Sequence, residues 1–90
     1  MKYVLTYKSV EDFRVKAQEH GAAHVARLHE CSARGVLLMA GPLDDPPSGD
    51  ALGIFTSQEA ADEFVAGDPF VLNGVVESYS IRPWREVLAD

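Results

Sequence analysis

The amino-acid sequence predicts an α+β domain in which a four-stranded antiparallel sheet carries its helices on one face. Three observations predict it. Segments of period-two alternation, residues 2–7 and 75–82, lie near opposite ends of the 90-residue chain. Two stretches that open with helix-capping signals lie between them. Two short apolar runs, residues 36–40 and 51–55, stand together in the middle and are parted only by a loop rich in proline and aspartate.

In residues 2–7, Tyr3, Leu5 and Tyr7 alternate with Lys2, Val4 and Thr6, the pattern of a first strand. Ser9 with Asp12 three residues on forms a capping-box signal, so a helix is expected over residues 10–19. Gly21 permits a break, because glycine reaches conformations that other residues avoid. A second helix is therefore expected over residues 22–34, stopped by Gly35. His24, Leu28 and Cys31 share one face of it, at i, i+4 and i+7.

The run Val-Leu-Leu-Met-Ala at 36–40, ended by Gly41-Pro42, reads as a strand buried on both faces. Residues 43–50 form a loop and residues 51–55 a third strand. Thr56 and Glu59 make the next capping box, and the helix that follows turns Ala60, Ala61, Phe64 and Val65 inward before Gly67 ends it. Asp68-Pro69 carries the cap-then-proline signature of one more helical turn. Asn73-Gly74 signals a turn into the last strand, closed by Pro83. Strand, helix, strand, strand, helix, strand is the ferredoxin-like order, with the first helical segment in two pieces. Two helices cover one face of such a sheet. The apolar residues left over on the other face predict a homodimer packed through the sheet, in the manner of a dimeric α+β barrel.

Composition narrows the function classes. A hydrophobic fraction of 47% and a charged fraction of 24% describe one globular domain over residues 1–90. The net charge is −6, from 14 acidic and 8 basic residues without a Lys/Arg cluster, which argues against nucleic acid as a partner. A single cysteine, Cys31, excludes an intrachain disulfide and suits a reducing compartment. No apolar run has the length of a signal segment or a membrane span, so the expected location is cytoplasmic and no membrane partner is expected.

Five short stretches, taken in order, carry a resemblance: AAHVARL (22–28), AGP (40–42), GDPF (67–70), NGV (73–75) and RPW (82–84). Together they resemble the YciI-like, or YCII-related, family of small bacterial proteins, from the first strand to about Val87. The resemblance implies a ferredoxin-like fold, dimerisation through the sheet and a pocket centred on a histidine–aspartate pair, here His24 and Asp68. It implies a probable-enzyme class, some members of which act in aromatic-compound breakdown. Many relatives carry Arg or Arg-Pro just before the histidine, where this chain has Gly21-Ala22-Ala23. Many also carry a longer loop with Ser or Thr entering the third strand, where this chain has Gly49-Asp50.

Each candidate residue has a structural and a chemical reading. His24, on an apolar helix face, is either a satisfied core histidine or a proton carrier suited to neutral pH. Asp68 is the expected helix cap, and its carboxylate could also orient the histidine ring. Gly41, Pro42, Phe70, Arg82 and Trp84 complete a candidate substrate-binding set. Arg82 and Trp84 suit an acidic aromatic ligand or a dimer contact. His20 and His24 have a metal-ligand spacing, but Gly21 lies between them and no third ligand follows, so no metal is expected. His29 is expected in solvent, Cys31 in the core, and Asp44, Asp45 and Ser48 in the loop. The sequence has no phosphate-cradling loop, nicotinamide fingerprint or cysteine metal cluster, and no cofactor is expected. The expected function is a cofactor-free enzyme in which His24 and Asp68 perform acid/base chemistry on a small aromatic or enolisable molecule. The alternative is a non-catalytic dimeric module that binds a small ligand or a partner protein.

Overall fold

Alternation along β1 (Lys2–Ser9) sorts its side chains to two faces, and the rest of the molecule is built around that division. The computed structural model describes residues 1–89. After β1 come α1 (Phe13–Ala33), β2 (Leu37–Pro42), β3 (Ala51–Phe55), α2 (Gln58–Gly67), the short α3 (Pro69–Leu72) and β4 (Val76–Trp84). The four strands form one antiparallel sheet in the order β2-β3-β1-β4, the ferredoxin-like arrangement. Leu5 and Tyr7 of β1 point to the helices and join Cys31, Leu37, Phe55, Ala61, Phe64 and Val65 in the core. No helix among the described residues is long and apolar enough to cross a membrane.

Four local expectations are corrected. The first helix is continuous from Phe13 to Ala33 and does not break at Gly21. One glycine costs a helix about 1 kcal/mol, which the hydrogen bonds and packing of a 21-residue helix outweigh. Ser9 does not cap that helix. It ends β1, where its N–H donates to Asp50 Oδ1 (3.1 Å) and its hydroxyl donates to the Gly49 carbonyl (2.6 Å). Ser57, not Thr56, caps α2, its Oγ accepting from the Ala60 N–H at 3.1 Å. Within the single chain the run at 36–40 is not covered on both faces. β2 is an edge strand in which Leu37 is buried while Leu38, Met39 and Ala40 are exposed. At the opposite edge β4 continues through Pro83, which an edge strand tolerates because one of its sides needs no backbone donor.

Gly35 ends the region of α1 in the left-handed conformation (φ +76°), with its N–H donating to the Ser32 carbonyl. The chain can then reverse into β2 at once. α2 lays Ala61, Phe64 and Val65 on the sheet, as its pattern predicts. Its last residue, Gly67, delivers the chain to Asp68.

Candidate active site

Asp68 lies between α2 and α3 and is completely buried, at 0% exposure. A buried carboxyl must find partners for both oxygens, and three groups converge on it. Oδ1 accepts from the Phe70 N–H at 3.1 Å, which caps α3. The same oxygen lies 2.7 Å from His24 Nδ1, and Oδ2 accepts from the Tyr7 hydroxyl at 2.6 Å. Since the carboxyl oxygens serve as acceptors here, His24 Nδ1 carries the hydrogen and donates. That tautomer leaves the Nε2 lone pair as the free function of the ring. Among the described residues no buried side-chain nitrogen or oxygen lacks a partner. Tyr7 holds its proton far beyond the ordinary tyrosine range. Burial is the main cause, and the hydrogen bond to Asp68 and the charge of Asp68 reinforce it, against a smaller opposing effect of Arg27.

The imidazole is held by packing as well as by Asp68. It stacks on the Phe70 ring with centroids 3.9 Å apart and planes 8° from parallel, and the Phe64 ring meets it edge-on with centroids 6.2 Å apart. Phe70 thus touches the site twice, through its N–H on Asp68 and through its ring on His24. Arg27, one turn beyond His24 on α1, fastens the two helices. Its Nε donates to the Phe64 carbonyl (3.2 Å) and its Nη2 to the Glu63 carbonyl (2.7 Å). The guanidinium also lies 5.5 Å over the Phe64 ring. A Cβ at position 67 would stand 2.6 Å from that guanidinium, so a larger residue there would have to displace the end of the Arg27 side chain. This clamp sets the end of α2 against α1 and with it the distance between His24 and Asp68.

His24 and Phe70 line a cavity of about 320 Å³ between the sheet and the helices, and Gly41 and Pro42 line it too. Its walls are chiefly aliphatic and aromatic, with Leu5, Phe13, Leu28, Phe55 and Phe64 among them. The loop after β2 closes one end: Gly49 (φ +86°) lies so near the Phe13 ring that a Cβ would come within 2.7 Å of it. Arg82 and Trp84 are not brought to this cavity. Register pairs them with Val4 and Lys2 on the opposite face of the sheet. There Val4, Met39, Leu52, Ile54 and Trp84 surround a second hollow of about 580 Å³. Gly41 and Pro42, at the end of an edge strand, border both.

The remaining candidates disperse. Because α1 is unbroken, His20 sits one turn before His24, but its nearest carboxylate is Glu19 at 3.9 Å, while His24 is committed to Asp68. Among the described residues no group of three or more His, Cys, Asp and Glu could hold a metal ion. His29, Asp44, Asp45 and Ser48 are exposed. Cys31 is buried in the core.

Residues 1–85 match the family model described as the YCII-related domain. The chain belongs to the YCII-related family. It is 33% identical to the protein YciI of Escherichia coli and, equally, to YciI of Shigella flexneri, over 97% of this chain and 99% of each relative. Its fold is similar to that of 5-chloro-2-hydroxyhydroquinone dehydrochlorinase (TftG) of Burkholderia phenoliruptrix, solved with 2,5-dihydroxybenzoquinone. That likeness has a TM-score of 0.75 at 23% identity and covers 94% of both chains. A more distant likeness, TM-score 0.52 at 12% identity over 99% of this chain and 96% of the other, joins it to SnoaB, a cofactor-independent oxygenase of Streptomyces nogalater.

Two residues of this YCII-related site escaped the sequence reading. Tyr7 reads as one of three alternating apolar positions, yet a tyrosine on a core-facing strand position needs a partner for its hydroxyl, and that need was the available signal. Arg27 lies inside the AAHVARL stretch, where the histidine alone reads as a site residue. A long cation one turn from a candidate histidine was the signal there.

Proposed function

We propose that this YCII-related chain is a cofactor-free acid/base enzyme acting on a small aromatic or enolisable organic molecule. One observation carries the reading: His24, 2.7 Å from the wholly buried Asp68, is not sealed in the core but lines an apolar cavity. In this mechanism His24 Nε2 takes a proton from the substrate. The imidazolium keeps its Nδ1–H on Asp68, whose charge stabilises it, while Tyr7 and the Phe70 N–H hold the carboxylate still. The apolar walls exclude water and strengthen each of these charge interactions. The proton then returns to a different atom in an isomerisation, or the carbon's electron pair expels a leaving group in an elimination. Hydrolysis through an activated water uses the same base. TftG, a dehydrochlorinase, and SnoaB, a cofactor-independent oxygenase, lend support to small-molecule chemistry on this fold.

In this reading the working form is a cytoplasmic homodimer. The sheet face away from the helices supports the dimer, since Met39 is 70% and Trp84 47% exposed around the apolar hollow there. The test is turnover of a panel of halogenated hydroquinones and enolisable ketones, followed by halide release or by the absorbance of the enol. His24→Gln should abolish activity in a folded protein, and Asp68→Asn should lower it less, because asparagine still caps α3. Full activity in both variants would defeat this mechanism and favour a non-catalytic ligand-binding module.

A further inference from the structure

We infer that the His24 cavity selects an uncharged ligand anchored by one hydroxyl, a phenol or enol, and rejects carboxylates and phosphates of the same shape. The inference rests on the reading of this cavity as the substrate site and names the charge class of what enters it. Three lining side chains carry polar atoms: Tyr7, Ser9 and His24. The Tyr7 hydroxyl donates to Asp68 and the Ser9 hydroxyl donates to the Gly49 carbonyl, so both hydrogens are already given away. His24 Nδ1 is likewise spent on Asp68. What remains uncommitted accepts: the Nε2 lone pair of His24 and the hydroxyl lone pairs of Tyr7 and Ser9, whose natural complement is a hydroxyl hydrogen.

An anion finds the opposite. Among the described residues no Lys or Arg lines the cavity. Ala22 and Ala23 stand exposed just before the histidine, Arg27 is committed to the carbonyls of Glu63 and Phe64, and Arg82 is on the far face of the sheet. A carboxylate would leave water for apolar walls beside the buried charge of Asp68, in a chain of net charge −6, with no cation to meet it. Size sets the other bound. An apolar cavity of roughly 150 Å³ takes benzene, so about 320 Å³ accommodates a substituted ring or a fused pair.

The experiment uses the full chain, labelled with ¹⁵N, and three probes of matched shape: para-ethylphenol, para-ethylbenzoate and ethylbenzene. Amide and imidazole resonances are followed at about pH 8, above the range in which imidazoles ordinarily titrate and below that of phenols. The phenol should shift His24, Leu28 and Phe70 and bind about tenfold more tightly than the benzoate. It should also bind several-fold more tightly than ethylbenzene, and His24→Leu, which leaves no acceptor at that position, should remove most of that margin. A benzoate that shifts the same residues at equal or lower concentration overturns the charge selection while leaving the cavity as the ligand site. If no probe shifts the lining residues, the cavity is not a ligand site, and the inference and the reading beneath it both fall.

Discussion

The two faces of the sheet make an instructive pair. Each borders an apolar hollow, about 320 Å³ under the helices and about 580 Å³ on the open side. The covered hollow has His24 and Tyr7 in its wall and Asp68 wholly buried behind them, with Tyr7, His24 and Phe70 serving its oxygens. The open one is bordered by Val4, Met39, Leu52, Ile54 and Trp84, with Arg82 displayed on the same face. Apolar surface alone answers to the hydrophobic effect and suits a partner surface. A satisfied polar cluster inside apolar walls costs desolvation and constrains orientation, and that combination is what supports the proposed acid/base role. The difference lies in the polar groups, not in hollow size.

The sharpest way to break this contrast is at His24. His24→Gln should lower turnover by roughly 10²–10⁴-fold, the usual contribution of a positioned acid/base group. The fold should survive, as judged by circular dichroism. On the open face, Met39→Asp should convert a dimer to a monomer in size-exclusion chromatography with light scattering, because each copy would bury an unpaired carboxylate. The His24 and Asp68 resonances should not move. A wild-type chain that is already monomeric at micromolar concentration would remove the partner reading of that face.

Tyr7→Phe probes the covered face without touching the ring of His24. It leaves Asp68 Oδ2 buried and unpaired, which should cost about 1–3 kcal/mol in urea unfolding. It also carries a pH signature. The folded chain holds the Tyr7 proton beyond the ordinary value, while the unfolded chain releases it near 10. The stabilisation is therefore full below about pH 10 and declines as pH rises above it. Alkaline unfolding followed by circular dichroism should be steeper in the wild type than in the variant. The smallest expected effect is at Gly21, where a Cβ meets nothing within 4 Å. Gly21→Ala should raise stability by about 0.5–1 kcal/mol, because alanine loses less backbone entropy in a helix interior.

The succession of elements along the chain, the loop at 43–50 and the cap at Asp68 were legible because each depends on residues close together in the chain. Alternation in β1 and β4, and the cap-then-proline signal at Asp68-Pro69, needed no distant partner. The His24–Asp68 pair, 44 residues apart, was legible through the family resemblance and not from spacing. Arg82 and Trp84, at the end of the last strand, read as companions of that pair. The alternation of that strand turns them to the other face.

By itself the sequence determined the β-α-β-β-α-β order and the residues with a periodic apolar side, since propensity, capping and turn chemistry act over a few residues. Tertiary structure alone decided that α1 runs unbroken through Gly21 and that Ser57 rather than Thr56 caps α2. It also decided that Tyr7 meets Asp68 across 61 positions of chain. The physical reason is one of range. A local signal commits each residue to a strand, helix or turn, and a preference of about 1 kcal/mol can be overruled by packing. Which donor reaches a buried carboxylate depends on register and helix docking, and those are set by the whole core closing at once.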